Sequence, residues 1–148
     1  MSSCSGSDEL LEKGIALLRA NNPLGALAFF EKAYSISKTP VRQSYLGLCI
    51  ATERGRVSDA IALCREAMHQ EPHNPIHYLN LGKVYLKAKK KAECLDILRQ
   101  GLAQGDNPEI RQLLEDIGMR KPPFFAFLSR GHILNKYIGL LLHRLRMR

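Results

Sequence analysis

The chain has 148 residues and a formal net charge of +8 at pH 7, with 45% hydrophobic and 24% charged residues. A chain of this length forms one domain, and this composition is ordinary for a folded, soluble protein. No stretch approaches the roughly 20 apolar residues of a membrane-spanning helix, and the polar N-terminus lacks the basic and apolar regions of a secretory signal. We therefore expect a cytoplasmic protein whose residues 1–6 are disordered.

Four helix starts are marked by a capping residue followed by proline. They are Asn22-Pro23, Thr39-Pro40, Asn74-Pro75 and Asn107-Pro108. The capping side chain accepts a hydrogen bond from a free backbone N–H, and proline fits the first helical position because no N–H is needed there. Ser7 and Ser58 mark two weaker starts, and Gly55 suits a turn after a helix.

These signals divide the chain into seven predicted helices. We expect them near residues 8–20, 24–37, 41–54, 58–70, 76–88, 91–104 and 108–119. The connections between them are short, which makes consecutive helices antiparallel neighbours. No segment shows the alternating pattern of a half-buried strand, so the predicted fold class is all-α.

Small residues recur along these helices at a fixed interval of 34 positions. One series is Ala26, Ala60 and Cys94, and the other is Ala33, Ala67 and Gly101. A period of this length is typical of repeat proteins, in which helix pairs bury their apolar faces by stacking on one another. The period predicts an extended surface for binding and does not identify the partner.

The third period resembles a tetratricopeptide repeat. Its first helix contains Tyr78-x-x-Leu81-Gly82-x-x-Tyr85, and its second contains Cys94, Leu98 and Gly101. The second unit matches through Gly55, Ala60, Ala67 and Pro72, and the first through Leu10, Gly14, Leu17, Ala26, Phe30 and Ala33. The departures are the inverted pair Gly47-Leu48, Lys13 in place of a leucine and Asp106 in place of the closing proline.

The resemblance covers residues 7–119. It implies a right-handed α-solenoid of three helix-turn-helix repeats, about 7–40, 41–74 and 75–108, with a terminal helix over 108–119. It implies binding rather than catalysis.

No catalytic motif is readable in the chain. There is no Gly-x-Ser-x-Gly, no glycine-rich phosphate loop and no His-Glu-x-x-His. His69, His73 and His77 recur at intervals of four, but Pro72 and Pro75 interrupt any helix that could align them as metal ligands. We expect neither an enzyme nor a metal or cofactor site.

Three cysteines lie on predicted amphipathic helices, at Cys49, Cys64 and Cys94. Free cysteine in such positions packs as a small hydrophobic residue. No Cys-x-x-Cys pair is present, so we expect free thiols in a reducing compartment.

By the same resemblance, the first helix of each unit lines a concave groove that binds a peptide or helix of a partner protein. The groove residues would be Leu11, Ile15, Leu18, Tyr45, Cys49, Leu79 and Leu86, with Arg42, Lys83 and Lys87 flanking them. Family members that clamp a terminal carboxylate use lysine, asparagine and arginine here, whereas Leu11 and Ile15 occupy two of those places. An apolar stripe with basic residues flanking it suits an apolar or acidic segment.

The net charge is concentrated at the C-terminal end. Residues 120–148 contain seven Lys/Arg and no Asp or Glu, which leaves a net charge of +1 for residues 1–119. A nucleic-acid-binding domain would carry a basic stripe on the fold itself, so we do not expect nucleic acid as a partner. The pattern predicts an extended Pro/Phe-rich segment over 120–132 and a basic amphipathic helix over 133–148.

Three roles for the segment 120–148 stay open. In the first role, the segment folds onto the repeats and covers or completes the groove. In the second, it lies on an anionic membrane surface, as basic amphipathic helices do. In the third, a partner protein holds it. The ending resembles that of short bacterial repeat proteins, which implies no activity. The expected function is a protein-interaction scaffold, with a membrane-surface adaptor as the alternative.

Overall fold

The computed structural model describes residues 2–118, with side chains from Gly6 onward. This part of the chain contains seven α-helices and no strand: α1 (Ser2–Arg19), α2 (Pro23–Ile36), α3 (Pro40–Arg54), α4 (Val57–Gln70), α5 (Pro75–Lys87), α6 (Lys91–Gln104) and α7 (Pro108–Gly118). The predicted all-α class and its seven helices are confirmed. The predicted extended segment 120–132 and the helix over 133–148 lie outside the described residues.

All four caps predicted from the residue before proline are confirmed. The Asn22 side chain accepts a 3.0 Å bond from the Gly25 N–H, and Thr39 accepts a 3.5 Å bond from the Arg42 N–H. Asn74 accepts a 3.1 Å bond from the Ile76 N–H. Asn107 accepts bonds from the N–H groups of Glu109 and Ile110, at 2.9 and 3.1 Å. These bonds satisfy backbone donors that have no partner inside the helix. Each of these helix starts therefore follows from local sequence.

The two weaker starts are wrong. Helix α4 begins at Val57 without a side-chain cap, so Ser58 is its second residue. Helix α1 begins at Ser2, and residues 2–6, predicted to be disordered, are helical. Ser7 lies inside α1 because of a tertiary contact. The residue is buried, and its Oγ accepts a 3.0 Å bond from Arg42 Nη2 on α3.

The helices pack in pairs, α1 on α2, α3 on α4 and α5 on α6, and α3 also contacts α2 and α5. Two hydrophobic clusters fill the space between them. The first contains Phe30, whose ring stacks on Tyr45 with a centroid distance of 5.1 Å. The second contains Leu79, Leu98 and Ile110 and extends to α7. Stacked helix pairs of this kind form an α-solenoid.

The two series of small residues mark close helix packing. All six are buried: Ala26, Ala60, Cys94, Ala33, Ala67 and Gly101. A Cβ added at Gly101 would lie 2.7 Å from Tyr78 Cβ, which is closer than side chains approach one another. Helices α5 and α6 can therefore come this close only because position 101 carries no side chain.

The backbone follows the same period as these small residues. Asn21, Gly55 and Lys89 lie 34 positions apart, each just after α1, α3 or α5, and their φ angles are 56°, 65° and 60°. This left-handed conformation is common for glycine and asparagine at helix ends and uncommon for lysine. Each helix pair therefore turns with the same backbone geometry whichever residue occupies the position.

Candidate partner-binding groove

Two neighbouring cavities lie along the surface formed by α1, α3 and α5. The larger, of about 370 Å³, is lined by Leu18, Asn21, Pro23, Leu48, Thr52, Lys83, Leu86 and Lys87. The smaller, of about 170 Å³, is lined by Ile15, Leu18, Arg19, Tyr45, Lys83 and Glu109. Because Leu18 and Lys83 line both cavities, we treat them as one surface and call it the groove.

Most of the predicted groove residues lie here. The structure brings together Ile15, Leu18, Tyr45, Lys83, Leu86 and Lys87. Leu86 is 39% exposed, which is unusual for a large apolar side chain. The groove therefore combines an accessible apolar floor with lysines at its edge.

Four predicted residues do not line either cavity. Leu11 is half-buried against the cluster that contains Phe30. Arg42, Cys49 and Leu79 are 4%, 0% and 1% exposed, so they lie in the interior. Helices α3 and α5 each pack against several other helices, which buries more of their circumference than the resemblance predicts.

Arg42 is a structural residue. Its Nη1 donates to the Ser37 carbonyl and to Thr39 Oγ1, both at 3.2 Å, and its Nη2 donates to Ser7 Oγ and the Asp8 carboxylate. These bonds join the N-terminal part of α1 to the turn between α2 and α3. A guanidinium used in this way is not available to a partner.

Several residues of the groove were not predicted from the sequence, among them Leu48 and Glu109. A signal for Leu48 existed, because it lies 34 positions after Gly14 and 34 before Gly82. A leucine there places a side chain in the larger cavity where the other repeats have none. Glu109 had no such signal, since α7 lies beyond the third helix pair.

Glu109 is the acidic residue of the groove. Its Oε2 lies 3.4 Å from Lys83 Nζ and its Oε1 lies 3.8 Å from Arg19 Nη2. Exposed pairs of this kind contribute little to stability, about 0–1 kcal/mol. Burial, with the Glu109 charge, raises the pKa of Tyr45 from 10.0 to about 12, so its hydroxyl stays protonated into the alkaline range. The lining of the larger cavity has two lysines and no acid.

A hydroxyl, an imidazole and a carboxylate meet between α3 and α5. His77 Nδ1 lies 3.0 Å from Ser44 Oγ, and His77 Nε2 lies 2.9 Å from Glu71 Oε2. Asn80 Nδ2 donates to the same Ser44 Oγ at 3.1 Å. Such groups support nucleophilic catalysis in hydrolases, but Ser44 and His77 are fully buried and no substrate could reach them. The network holds the two helices together.

The histidines do not converge. His77 is buried in this network, whereas His69 and His73 are exposed. Within the described part of the chain, no three His, Cys, Asp or Glu side chains are grouped closely enough to hold a metal ion. Of the helices in residues 2–118, none is long and apolar enough to cross a membrane.

Glu71 makes stability depend on pH. Hydrogen bonds from Asn74 and His77 lower the pKa of this carboxyl below its ordinary 4.5. A lowered folded-state pKa stabilises the fold above the unfolded value, and this contribution is lost as the pH falls through the folded value. We expect Glu71→Gln to flatten the loss of stability below about pH 4.5. Urea unfolding across acidic pH measures this, with Glu115→Gln as the control; an unchanged pH slope for Glu71→Gln would contradict the expectation.

The three cysteines should be unreactive in the folded chain. Burial raises the pKa of the Cys49 and Cys64 thiols to about 12 and also raises the pKa of Cys94. Because the thiolate is the reactive form, we expect iodoacetamide to spare all three until the chain unfolds. Peptide mass spectrometry with and without guanidinium checks this. Native labelling of Cys64 at the unfolded rate would show that the site opens readily.

The family comparison identifies the repeat. Residues 51–117 match the family model described as Tetratricopeptide repeat. A search of curated proteins gives no match.

Solved structures share the fold. The TPR domain of Arabidopsis OM64 is 17% identical, with a TM-score of 0.59 over 81% of this chain and 100% of that chain. The Sgt2 TPR domain from Aspergillus fumigatus is 16% identical, with a TM-score of 0.57 over 88% and 93%. The first TPR of Spaghetti (RPAP3), bound to the HSP90 peptide SRMEEVD, is 18% identical, with a TM-score of 0.56 over 76% and 90%.

The family match begins within α3 and ends within α7. The small residues and the left-handed turn residues extend the same period back to the pair α1 and α2. The described residues form three stacked helix pairs followed by α7. Residues 51–117 therefore match the tetratricopeptide repeat family, and the chain shares its fold with the TPR domains of these solved structures.

Proposed function

We propose that this chain is a non-enzymatic, cytoplasmic scaffold whose groove binds an apolar segment of a partner protein, as a peptide or a helix. The observation that carries the proposal is the open cavity of about 370 Å³ with Leu18, Leu48 and Leu86 in its lining. Concave apolar surfaces with a few polar groups at their edge are typical binding sites. An exposed apolar patch is also costly unless a partner covers it.

Solved structures that share the fold support this class of partner. The RPAP3 domain is bound to an HSP90 peptide, the yeast Sti1 structure is a complex of its TPR2AB domain with pHSP90, and YrrB is described as having an unusual peptide-binding site. The shared fold offers the same kind of surface here. The apolar residues of this groove favour a partner held mainly by apolar contacts.

A carboxylate clamp is not part of the proposal. By the family resemblance, Ile15 occupies a place in the groove where clamping relatives carry a polar residue. Lys83 in the groove is already paired with Glu109. We therefore expect that a free terminal carboxylate is not the main determinant of binding.

The proposal includes a role for residues 120–148, which rests on their sequence. Their apolar and basic pattern suits a segment that covers or completes the groove. If it covers the groove, a chain ending at Met119 binds peptides more tightly than the full chain; if it completes the groove, the shorter chain binds more weakly. Equal affinity and equal melting temperature would remove this part of the proposal. The membrane alternative predicts that only the full chain sediments with phosphatidylserine vesicles.

A pair of matched variants tests the groove. We expect selection of a random peptide library on the full chain to enrich Leu, Ile and Phe. Leu86→Glu should weaken an enriched peptide by about tenfold or more, equivalent to about 1.4 kcal/mol, because a carboxylate would enter the apolar cavity. Leu24→Glu is the control, since Leu24 is 67% exposed and lines neither cavity. Failure of the library to enrich apolar peptides, or equal effects of both variants, would overturn the proposal.

A further inference from the structure

A cluster of lysines occupies the turn between α5 and α6. Residues Lys87–Lys91, which we call the lysine turn, contain four lysines and one alanine. The four lysines are exposed, and no Asp or Glu among the described side chains lies within ion-pair distance of them. At the corresponding turn of the second pair, Arg54 is paired with Glu31 and Arg56 with Asp59, both at 2.6 Å. The lysine turn therefore carries positive charge that the described side chains around it do not neutralise.

Lys89 occupies a backbone position that disfavours lysine. Its φ of 60° is left-handed, as at Asn21 and Gly55 in the first two pairs, where the residues tolerate this conformation. The Lys90 N–H still closes the helix by donating to the Tyr85 carbonyl at 2.9 Å. Glycine would make this turn with less strain. Strained positions of this kind cluster at functional sites, so the charge at Lys89 is the feature to explain.

The lysine turn continues the edge of the groove. Because consecutive helices alternate in direction, the turns after α1, α3 and α5 lie at one end of the stack. The larger cavity reaches that end, since its lining includes Asn21 and Pro23 at the first turn. Lys87 belongs both to the cavity lining and to the lysine turn. A segment leaving the cavity at this end therefore passes over the lysine turn.

We propose that the lysine turn binds acidic residues of the same partner segment whose apolar side chains fill the larger cavity. The partner is then a protein segment with an apolar anchor next to a run of Asp or Glu. This inference rests on the proposed function. It adds that the partner segment is negatively charged and that this charge binds at the lysine turn, beside the larger cavity. Exposed lysines attract carboxylates from a distance and fix the direction in which the segment lies.

A protein segment fits these features better than a membrane or a nucleic acid. The apolar contact beside the lysines is a cavity of about 370 Å³, which suits a few inserted side chains rather than a lipid surface. Single-stranded nucleic acid is held by rows of aromatic side chains, and the groove lining contains one aromatic residue, Tyr45. The charge and the cavity together therefore indicate an acidic, apolar peptide.

The test uses the full chain and two variants that each remove two charges. In the first, Lys89→Gly and Lys90→Ser, glycine suits the left-handed position and serine suits the N-cap of α6, so the fold should be retained. In the control, Lys32→Ser and Lys38→Ser, both lysines are exposed, lie outside the groove and have no ion pair with a described residue. Thermal melts confirm folding before binding is measured.

The probe is a random peptide library, followed by fluorescence anisotropy of an enriched peptide. We expect the full chain to enrich peptides with Asp or Glu beside apolar residues. The Lys89 and Lys90 variant should bind such a peptide about fivefold more weakly and with less salt dependence, because two exposed charge contacts are lost. The control variant should change the affinity by less than about twofold.

Each other outcome is decisive. Enrichment of apolar peptides without acids would leave the proposed function standing and overturn this inference, as would acidic peptides that bind both variants equally. No enrichment at all would overturn both. Binding of phosphatidylserine vesicles or a single-stranded oligonucleotide, lost in the Lys89 and Lys90 variant while no acidic peptide is enriched, would assign the lysine turn to lipid or nucleic acid instead.

Discussion

Replacing Phe30 with alanine is expected to lower the free energy of unfolding by about 3–5 kcal/mol. The Phe30 ring is fully buried, stacks on Tyr45 and fills the space opposite Gly14, where an added Cβ would lie 2.5 Å from the ring. Its removal leaves a cavity between α1, α2 and α3 that these helices cannot close. Urea unfolding followed by circular dichroism measures the loss.

Phe29→Ala is the matched control for this prediction. Phe29 is adjacent in sequence and half-buried, so its truncation removes less packing. We expect less than half the effect of Phe30→Ala. Equal losses for the two variants would show that the first hydrophobic cluster does not depend on the Phe30 ring. Because a natural domain is stable by only about 5–15 kcal/mol, Phe30→Ala should also reduce the yield of folded protein.

Gly101→Val is expected to cost about 1–3 kcal/mol through overpacking. A Cβ at this position would lie 2.7 Å from Tyr78 Cβ and 2.9 Å from Ile110 Cδ1. Tyr78 Cβ is attached directly to the α5 backbone, so the helices themselves have to move apart. The variant should melt at a lower temperature even though valine is a better helix former than glycine.

Gly6→Val provides the comparison for Gly101→Val. An added Cβ at Gly6 meets no other atom within 4 Å, although this glycine also lies inside a helix. We expect Gly6→Val to leave the melting temperature unchanged or slightly raised. If Gly101→Val matched it, the close approach of α5, α6 and α7 would not be a constraint on the fold.

Both positions illustrate how the groove is maintained. Phe30 and Gly101 line neither cavity, but they set the spacing of the helices that form the groove, and Phe30 also stacks on Tyr45 of the groove lining. Ile110, which Gly101 contacts, is next to Glu109 on α7. Helix displacement at Gly101 would therefore also move the acidic residue that pairs with Lys83. Measuring peptide affinity alongside stability would separate these two effects.

The helix boundaries and the fold family could be predicted because their signals are local or periodic. A capping side chain at Asn22 or Asn107 bonds to N–H groups two or three residues away, so the sequence alone contains both partners. The interval of 34 positions appears in the chain itself and indicates stacked helix pairs. Where the cap was weak, as at Ser7, a contact with Arg42 thirty-five positions away decided the structure.

The exposure of individual groove residues depended on tertiary structure. A stripe along α3 and α5 predicts Arg42, Cys49 and Leu79 at the surface, but each helix packs against several neighbours, and these side chains are enclosed. The pairing of Glu109 with Arg19 joins residues ninety positions apart. The sequence by itself determined the number of helices, the four proline-marked helix starts and the 34-residue period. Only the packing of the helices decided which side chains face the groove, because burial is set by neighbours distant in the chain.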